Sequence, residues 1–157
     1  VDGRLTGDSF NVTGNNVTID GFNIVTDSNG VEVNGSENVT ISHNIINTYS
    51  NTDGIDEGIL AQNFSGLTIT DNQLNTTDNT AVALYYGSDA TVSDNDINTP
   101  LGDGVFAYDI TGLDVTGNTI DGAYDGVEAQ YSSDVLIDGN TITSSVIYGV
   151  SGYELEN

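Results

Sequence analysis

The chain has no cysteine, no methionine, no tryptophan and no lysine, and it carries one proline and one arginine, Arg4. Without cysteine, disulfides, thiolate metal sites and thiol catalysis are excluded. Without methionine as well, the soft ligands of a copper site are missing. One basic residue against 24 acidic ones leaves a formal net charge of −23 over 157 residues. Such a chain cannot neutralise a phosphate backbone or an anionic lipid surface, so nucleic acid is excluded as a partner. No apolar run approaches the roughly 18 residues of a membrane span, and no membrane insertion is expected. Charged residues make up 16%, against roughly 25% in an ordinary soluble domain, and the deficit is entirely basic. An apolar content of 36% is enough for the core of one domain, which argues against a disordered acidic tail. The chain opens on Val1 rather than Met, so a processed product or a piece of a longer protein is expected.

What is present is repetition. NNVTIDGFNI at 15–24 recurs as ENVTISHNII at 37–46, SGLTITDNQL at 65–74, DATVSDNDI at 89–97, GLDVTGNTI at 112–120 and DVLIDGNTI at 134–142. The anchors Ile19, Ile41, Ile69, Val92, Val115 and Ile137 are spaced by 22, 28, 23, 23 and 22 residues. A second apolar strand follows each anchor, beginning at Val31, Ile59, Val82, Val105, Val127 and Val150. Apolar and polar residues alternate in both, the period of a half-buried β-strand, and no helical period is sustained. A repeat of this length with short strands and Gly, Asn and Asp turns predicts one coil of a parallel β-solenoid. The fold class is therefore all-β, about six coils of 22–23 residues stacked about 4.8 Å apart. Residues 1–14 are expected to form a partial N-terminal coil and residues 15–157 the β-helix. Three positions after the anchors stand Asn44, Asn72, Asn95, Asn118 and Asn140, with Phe22 in the first repeat. Asn suits the left-handed backbone of a sharp turn, and stacked Asn side chains can hydrogen-bond along the column as a ladder.

These residues resemble the right-handed parallel β-helix repeats of pectate-lyase-like and polygalacturonase-like proteins, found also in archaeal surface proteins. The resemblance covers about residues 15–152 and rests on the VTI-x-x-N-x-I and GV/GI patterns. It is specific for fold; the architecture serves lyases, hydrolases, epimerases, adhesins and fibres alike. It implies a substrate cleft on the outer face of the first strand, here the GV/GI segment. The polygalacturonase motifs do not carry over. Asn51-Thr52-Asp53 spells the first motif four residues out of register, Asp78-Asn79 and Gly102-Asp103-Gly104 occupy two further slots, and no lysine exists for the last. Lyases of this fold use Lys or Arg as base, and Arg4 precedes the first coil.

On the first strand one outward column reads Glu32, Leu60, Ala83, Phe106, Glu128, Ser151, and the next Asn34, Gln62, Tyr85, Tyr108, Gln130, Tyr153. Tyr85, Phe106 and Tyr108, with Tyr86 and Tyr131 at the edge, form an aromatic face suited to sugar stacking or to protein contact. Just before the first strands stand Asn29, Glu57, Asn79, Asp103, Asp125 and Tyr148. Asp103 and Asp125 should lie about 5 Å apart and Glu57 about 10 Å from Asp103, separations open to glycosidase chemistry with these three as catalytic candidates. Asp103 and Asp125 could equally hold Ca²⁺, and a solvated acidic face is the plain alternative. No other cofactor is implied. His43 is expected to be a turn residue. The loop at 47–58 is the longest interruption, and long loops on rigid scaffolds often carry function. Sequons occur at Asn11, Asn16, Asn34, Asn38, Asn63 and Asn75, which permits glycosylation.

The missing lysine points to milieu. A protein in ordinary salt would place some Lys on its strand edges. Acidity without lysine suits molar salt, where the Debye length is about 3 Å and self-repulsion is quenched. A halophile protein, extracellular or at the cell surface, is expected. Two function classes follow: a non-catalytic β-helix for display, self-assembly or glycan contact, and a polysaccharide-active enzyme. Copies of the chain, the remainder of a parent protein and glycans are the expected partners, because a solenoid end with unpaired strand edges needs a cover. Folding should depend on salt. Lowering it to about 10 mM extends the Debye length to roughly 30 Å, so the cooperative β-signal in circular dichroism should weaken relative to molar salt; an undiminished transition would remove the halophile argument.

Overall fold

A computed structural model of the chain describes residues 10–49, 56–77 and 79–156. Among these, all regular structure is β-strand, and every strand pair is parallel. Three ranks of strands wind into six turns and the start of a seventh. The first rank is β1 (Phe10–Val12), β4 (Val31–Asn34), β7 (Ile59–Gln62), the opening halves of β10 (Val82–Ser93) and β12 (Val105–Thr116), β14 (Asp125–Gln130) and β17 (Tyr148–Tyr153). The second is β2 (Thr18–Asp20), β5 (Glu37–Ser42), β8 (Ser65–Thr70), the closing halves of β10 and β12, and β15 (Ser133–Asp138). The third is β3 (Asn23–Thr26), β6 (Ile45–Thr48), β9 (Gln73–Thr76), β11 (Asp96–Asn98), β13 (Thr119–Asp121) and β16 (Thr141–Thr143). The first two ranks form one sheet, continuous through β10 and β12, and the third rank forms another. Phe10–Val12, within the segment set apart as a partial coil, pairs in register with Val31–Val33.

Alternation explains the strands. The inward positions Val31, Ile59, Val82, Val105 and Val127 stack in one column, and Ile41, Ile69, Val92 and Val115 in another, all fully buried. Ile46, Leu74, Ile97 and Ile120 supply the third rank. β-Branched side chains repeat at the same place in successive coils, so like packs on like. Several glycines lie where coils approach closely, and two show why. A Cβ at Gly104 would collide with the Gly126 carbonyl oxygen and Ile120, and one at Gly87 would enter the ring of buried Phe64.

The Asn ladder is continuous from Asn44 to Asn140. Oδ1 of Asn95 accepts from the backbone N–H of Asn72 at 2.9 Å and from its Nδ2 at 3.0 Å, while Asn95 Nδ2 donates to Asn118 Oδ1 and to the Ile69 carbonyl. Asn44, Asn72 and Asn118 repeat the pattern, and Oδ1 of Asn140 ends it by accepting from Asn118. The backbone reason differs from the expected one. At this corner the left-handed residue is the one before the Asn, His43, Asp71, Asp94, Gly117 and Gly139, and in the first coil Gly21 before Phe22. Asn is selected for its side-chain amide, which satisfies the buried corner, and the preceding residue makes the bend. His43 takes that bend at φ 52°, with Nδ1 2.8 Å from Asp20 Oδ1.

The corner between the first and second ranks uses two left-handed residues per coil, Tyr86 with Asp89, Asp109 with Gly112, and Tyr131 with Asp134. A second adjustment concerns the column before the first strands. The hydrogen bond from the Gly58 N–H to the Thr80 carbonyl, and that from Ala81 to Asp103, align Thr80 with Glu57 and Asp103. Thr80, not Asn79, is the fourth-coil member, because Val82 is the strand's first inward residue. Replacing Asn95 by Ala removes a fully enclosed amide and strands donors and acceptors on both neighbouring coils. Denaturant unfolding should register a loss of about 1–3 kcal/mol, with a smaller loss for Asn140→Ala at the ladder's end; a change at Asn95 within about 0.3 kcal/mol, far below the cost of an unmade buried hydrogen bond, would show that the column is not a ladder.

Candidate functional site

Reading across the outer face of the first rank, the register lays down columns in a fixed order: carboxylates, then Phe106 and Glu128, then Tyr85 and Tyr108, then Tyr86 and Tyr131 at the corner. Strand stacking alone produces this order. Side chains in one column sit one strand spacing apart, so a residue type that recurs becomes a stripe.

The acidic column holds its geometry through backbone hydrogen bonds. Oδ1 of Asp103 accepts the N–H of Asp125 at 3.1 Å, and Oδ1 of Asp125 accepts the N–H of Tyr148 at 2.9 Å. Asn29 does the same for Glu57 at 2.9 Å. Asp103 and Asp125 therefore have a structural task whatever else they do. Glu128 reaches back to them from the next column, and ligand oxygens of Asp103, Asp125 and Glu128 lie within 4.8 Å of one another. The Asp103 carboxyl is raised above its usual range, first by burial and then by the charges of Glu128 and Asp125. These residues could hold a hard cation such as Ca²⁺. One oxygen on each already accepts a hydrogen bond, from the Asp125 and Tyr148 backbones and from Gln130 Nε2 at 2.6 Å. Three remaining oxygens fall short of the 6–8 or so that Ca²⁺ takes, so water or ligand hydroxyls would have to complete the shell.

Glu57 stands apart from this cluster, with Thr80 between it and Asp103 in the column. It is 4% exposed, and its Oε2 is buried without a hydrogen-bond partner. Burial, reinforced by the charge of Asp56, pushes its carboxyl up to about 7. The Tyr85 hydroxyl feels both acids: burial raises it first, then the charges of Glu57 and Asp103.

The aromatic residues form one connected run. Phe106 and Tyr85 have ring centroids 5.6 Å apart, Tyr85 and Tyr86 6.4 Å, Tyr86 and Tyr108 5.6 Å, Tyr108 and Tyr131 5.2 Å, and Tyr131 and Tyr153 5.3 Å. All are tilted or edge-on, the arrangements that aromatic quadrupoles favour. Tyr86 at φ 55° and Tyr131 at φ 50° sit in left-handed backbone, which costs a bulky residue roughly 1–2 kcal/mol.

The expected outward residues Tyr85, Phe106, Tyr108 and Tyr131 thus meet in one stripe beside Asp103 and Asp125. Ala83, read as outward, is enclosed. Sequence reasoning leaves Glu128 out of the acids and Tyr153 out of the aromatic face. Both stand in the expected columns, but the reach of a Glu side chain back to the neighbouring column and the ring contact of Tyr153 with Tyr131 are not readable from spacing. Of the sequons, Asn11, Asn16, Asn34, Asn38 and Asn63 are exposed, and Asn75 is half-buried with Nδ2 donating to Asn47 Oδ1 at 3.0 Å. Arg4, Asn51-Thr52-Asp53, Asp78 and the middle of the 47–58 loop, residues 50–55, lie outside the described residues.

The family described as "Right handed beta helix region" matches residues 5–154. No curated protein matches the sequence. Among solved structures, a candidate glycosyl hydrolase from Parabacteroides merdae ATCC 43184 is similar with a TM-score of 0.42 and 15% identity, over 98% of this chain and 82% of that one. The enzymatically active domain of bacteriophage CBA120 tailspike protein 2 gives 0.45 and 11%, over 96% of this chain and 32% of that one. The A-module of the Azotobacter vinelandii mannuronan C-5 epimerase AlgE4 gives 0.42 and 17%, over 98% and 54%.

Burial of Glu57 has a measurable pH signature. A carboxyl with its folded value raised to about 7 from an ordinary 4.5 favours the fold while protonated. That contribution is complete below pH 4.5 and disappears as pH rises through about 7. In molar salt, which suppresses the general charge repulsion, wild type should lose more stability than Glu57→Gln between those pH values, with the gap level above them. Parallel stability profiles for the two proteins would mean that Glu57 is not held protonated.

Proposed function

This chain belongs to the right-handed β-helix family, and on that footing we propose that it is a non-catalytic extracellular or cell-surface β-helix of a high-salt milieu that contacts glycans through its aromatic stripe. The observation that carries the reading is the unbroken run of rings from Phe106 to Tyr153 on the first-rank face. Sugar rings present apolar faces that stack on aromatics while their hydroxyls bond to flanking polar groups, and Asp103, Asp125, Glu128 and Gln130 flank this stripe. Display and assembly belong to the same reading. At the last coil the inward-column Val150 is 50% exposed, and Val146, Ile147 and Leu155 are exposed beside it, a patch that a second copy or further parent chain would cover.

A polysaccharide-active enzyme is the second reading, and Glu57 favours it. A buried carboxyl with one oxygen unpartnered and its pKa raised to about 7 is suited to general-acid work, with Asp103 or Asp125 as the second carboxyl. Against it stand the lack of Lys and Arg on the face among the described residues and the structural hydrogen bonds of both aspartates.

Binding and turnover separate the two. With a panel of neutral and acidic polysaccharides in molar salt, the wild-type protein should retard or bind at least one glycan without shortening it, and Tyr108→Ala should weaken that binding about tenfold, the equivalent of losing one stacked ring. Release of reducing ends that Glu57→Gln abolishes would establish the enzyme instead. In the same buffer, sedimentation should show mass rising with concentration; a fixed monomer would remove self-assembly.

A further inference from the structure

We propose that a groove along the corner between the first and second strand ranks binds an extended β-1,4-linked glycan free of carboxylates, with alternate sugars stacking on Tyr86 and Tyr131. This rests on the glycan-contact reading and assigns it a place away from the acid-bearing face. Two hollows of about 460 and 310 Å³, the first shallow and wide open to solvent, share Asp109 and Thr111 and so form one open trough across neighbouring coils. Tyr86 lines the first hollow and Tyr131 the second, and they are 54% and 43% exposed. The opposite side is a rank of hydroxyls, Ser88, Thr111 and Ser133, stacked in register, with Ser133 Oγ 3.4 Å from Thr111 Oγ1.

Spacing gives the ligand's repeat. Tyr86, Asp109 and Tyr131 occupy one column on successive coils, so the two rings are two strand spacings apart, about 10 Å. That is the length of one disaccharide repeat in a fully extended β-1,4-linked chain, in which every second sugar presents the same face. The solenoid axis and the glycan axis would run parallel, with Asp109 between the platforms as a hydrogen-bond acceptor for sugar hydroxyls.

Backbone strain points to the same two residues. Of the other members of their left-handed column, Gly35, Asn63 and Asp109 are ordinary turn residues and Glu154 is the one further long side chain. The turn asks for no aromatic, and bulky residues persist in left-handed backbone where something else requires them. Both rings lean on Tyr108, at 5.6 and 5.2 Å, which holds the platforms before any ligand arrives. Charge sets the chemistry. Asp109, Glu154 and Glu156 line the trough, so a polyuronate is repelled while neutral sugars meet acceptors for their hydroxyls.

Calorimetry in molar salt with cellohexaose, with chitohexaose as a second neutral probe and hexagalacturonate as the acidic one, tests this on wild type, Tyr86→Gly, Tyr131→Gly, Phe106→Ala and, outside both the stripe and the groove, the exposed Tyr49→Ala. Glycine is at ease at positive φ, so the first two variants should unfold at the same or higher temperature than wild type. Their affinity for the neutral probes should nevertheless fall about tenfold each, more than that of Phe106→Ala, while Tyr49→Ala binds as wild type does and hexagalacturonate binds to none. Binding that survives in both Gly variants and drops in Phe106→Ala overturns the groove but leaves the aromatic face as the glycan site. Preference for hexagalacturonate overturns the groove as well. If wild type binds no glycan, including the wider polysaccharide panel, the groove and the reading beneath it both fall.

Discussion

Hydrogen bonds running parallel to the solenoid axis are the constraint from which the rest of this structure follows. Each coil donates and accepts across its strands, and the Asn column extends the same connectivity through the corner, where the backbone by itself would leave buried groups unpaired. Asn72 illustrates the coupling: its backbone N–H and its side-chain amide both meet Asn95 Oδ1, and its amide also reaches back to the Ile41 carbonyl. Register is thereby locked at a buried point in every coil. A slip of one residue would break the ladder and turn every inward Val and Ile outward together.

Locked register has a chemical consequence: whatever side chain a column carries is repeated about every 4.8 Å. For apolar residues this is favourable packing. For carboxylates it is not, and three devices handle it here. Asp103 and Asp125 accept backbone N–H groups from the next coil, Thr80 separates Glu57 from Asp103, and Glu57 is shifted toward its neutral form by burial. For aromatic residues the repeat is close to the distance at which tilted rings attract one another, so a stripe of tyrosines is stable and rigid. Stacking thus converts a repeat sequence into parallel stripes of acid, aromatic and hydroxyl chemistry on one face and corner, a surface better matched to a linear polymer than to a compact ligand.

The folding pattern was legible because a solenoid coil is a local object. Spacing of anchors, alternation and the recurring Asn determine which residues face inward, and the columns Val31 to Val150 and Asn34 to Tyr153 pair in the expected register. Structure and spacing part where a turn changes length or handedness: the column member is Thr80, one residue after Asn79, and the left-handed backbone belongs to Asp71, Asp94 and their counterparts and not to the Asn beside them. Ala83 alternates outward in sequence yet is covered, standing in register between the larger Leu60 and Phe106.

By itself, then, the sequence determined the fold, the columns and the charge: period and alternation are short-range properties, and −23 is a sum. Tertiary structure alone decided which column members touch. Glu128 joins Asp103 and Asp125 because its longer side chain leans across a column; Glu57 loses its solvent, and its Oε2 is left without a hydrogen-bond partner, because of what packs around it. Tyr86 and Tyr131 become walls of a trough because their φ angles turn the rings out over the corner. Each of these depends on side-chain reach, desolvation or a backbone dihedral, quantities that a residue's identity and spacing leave open until the coils are stacked.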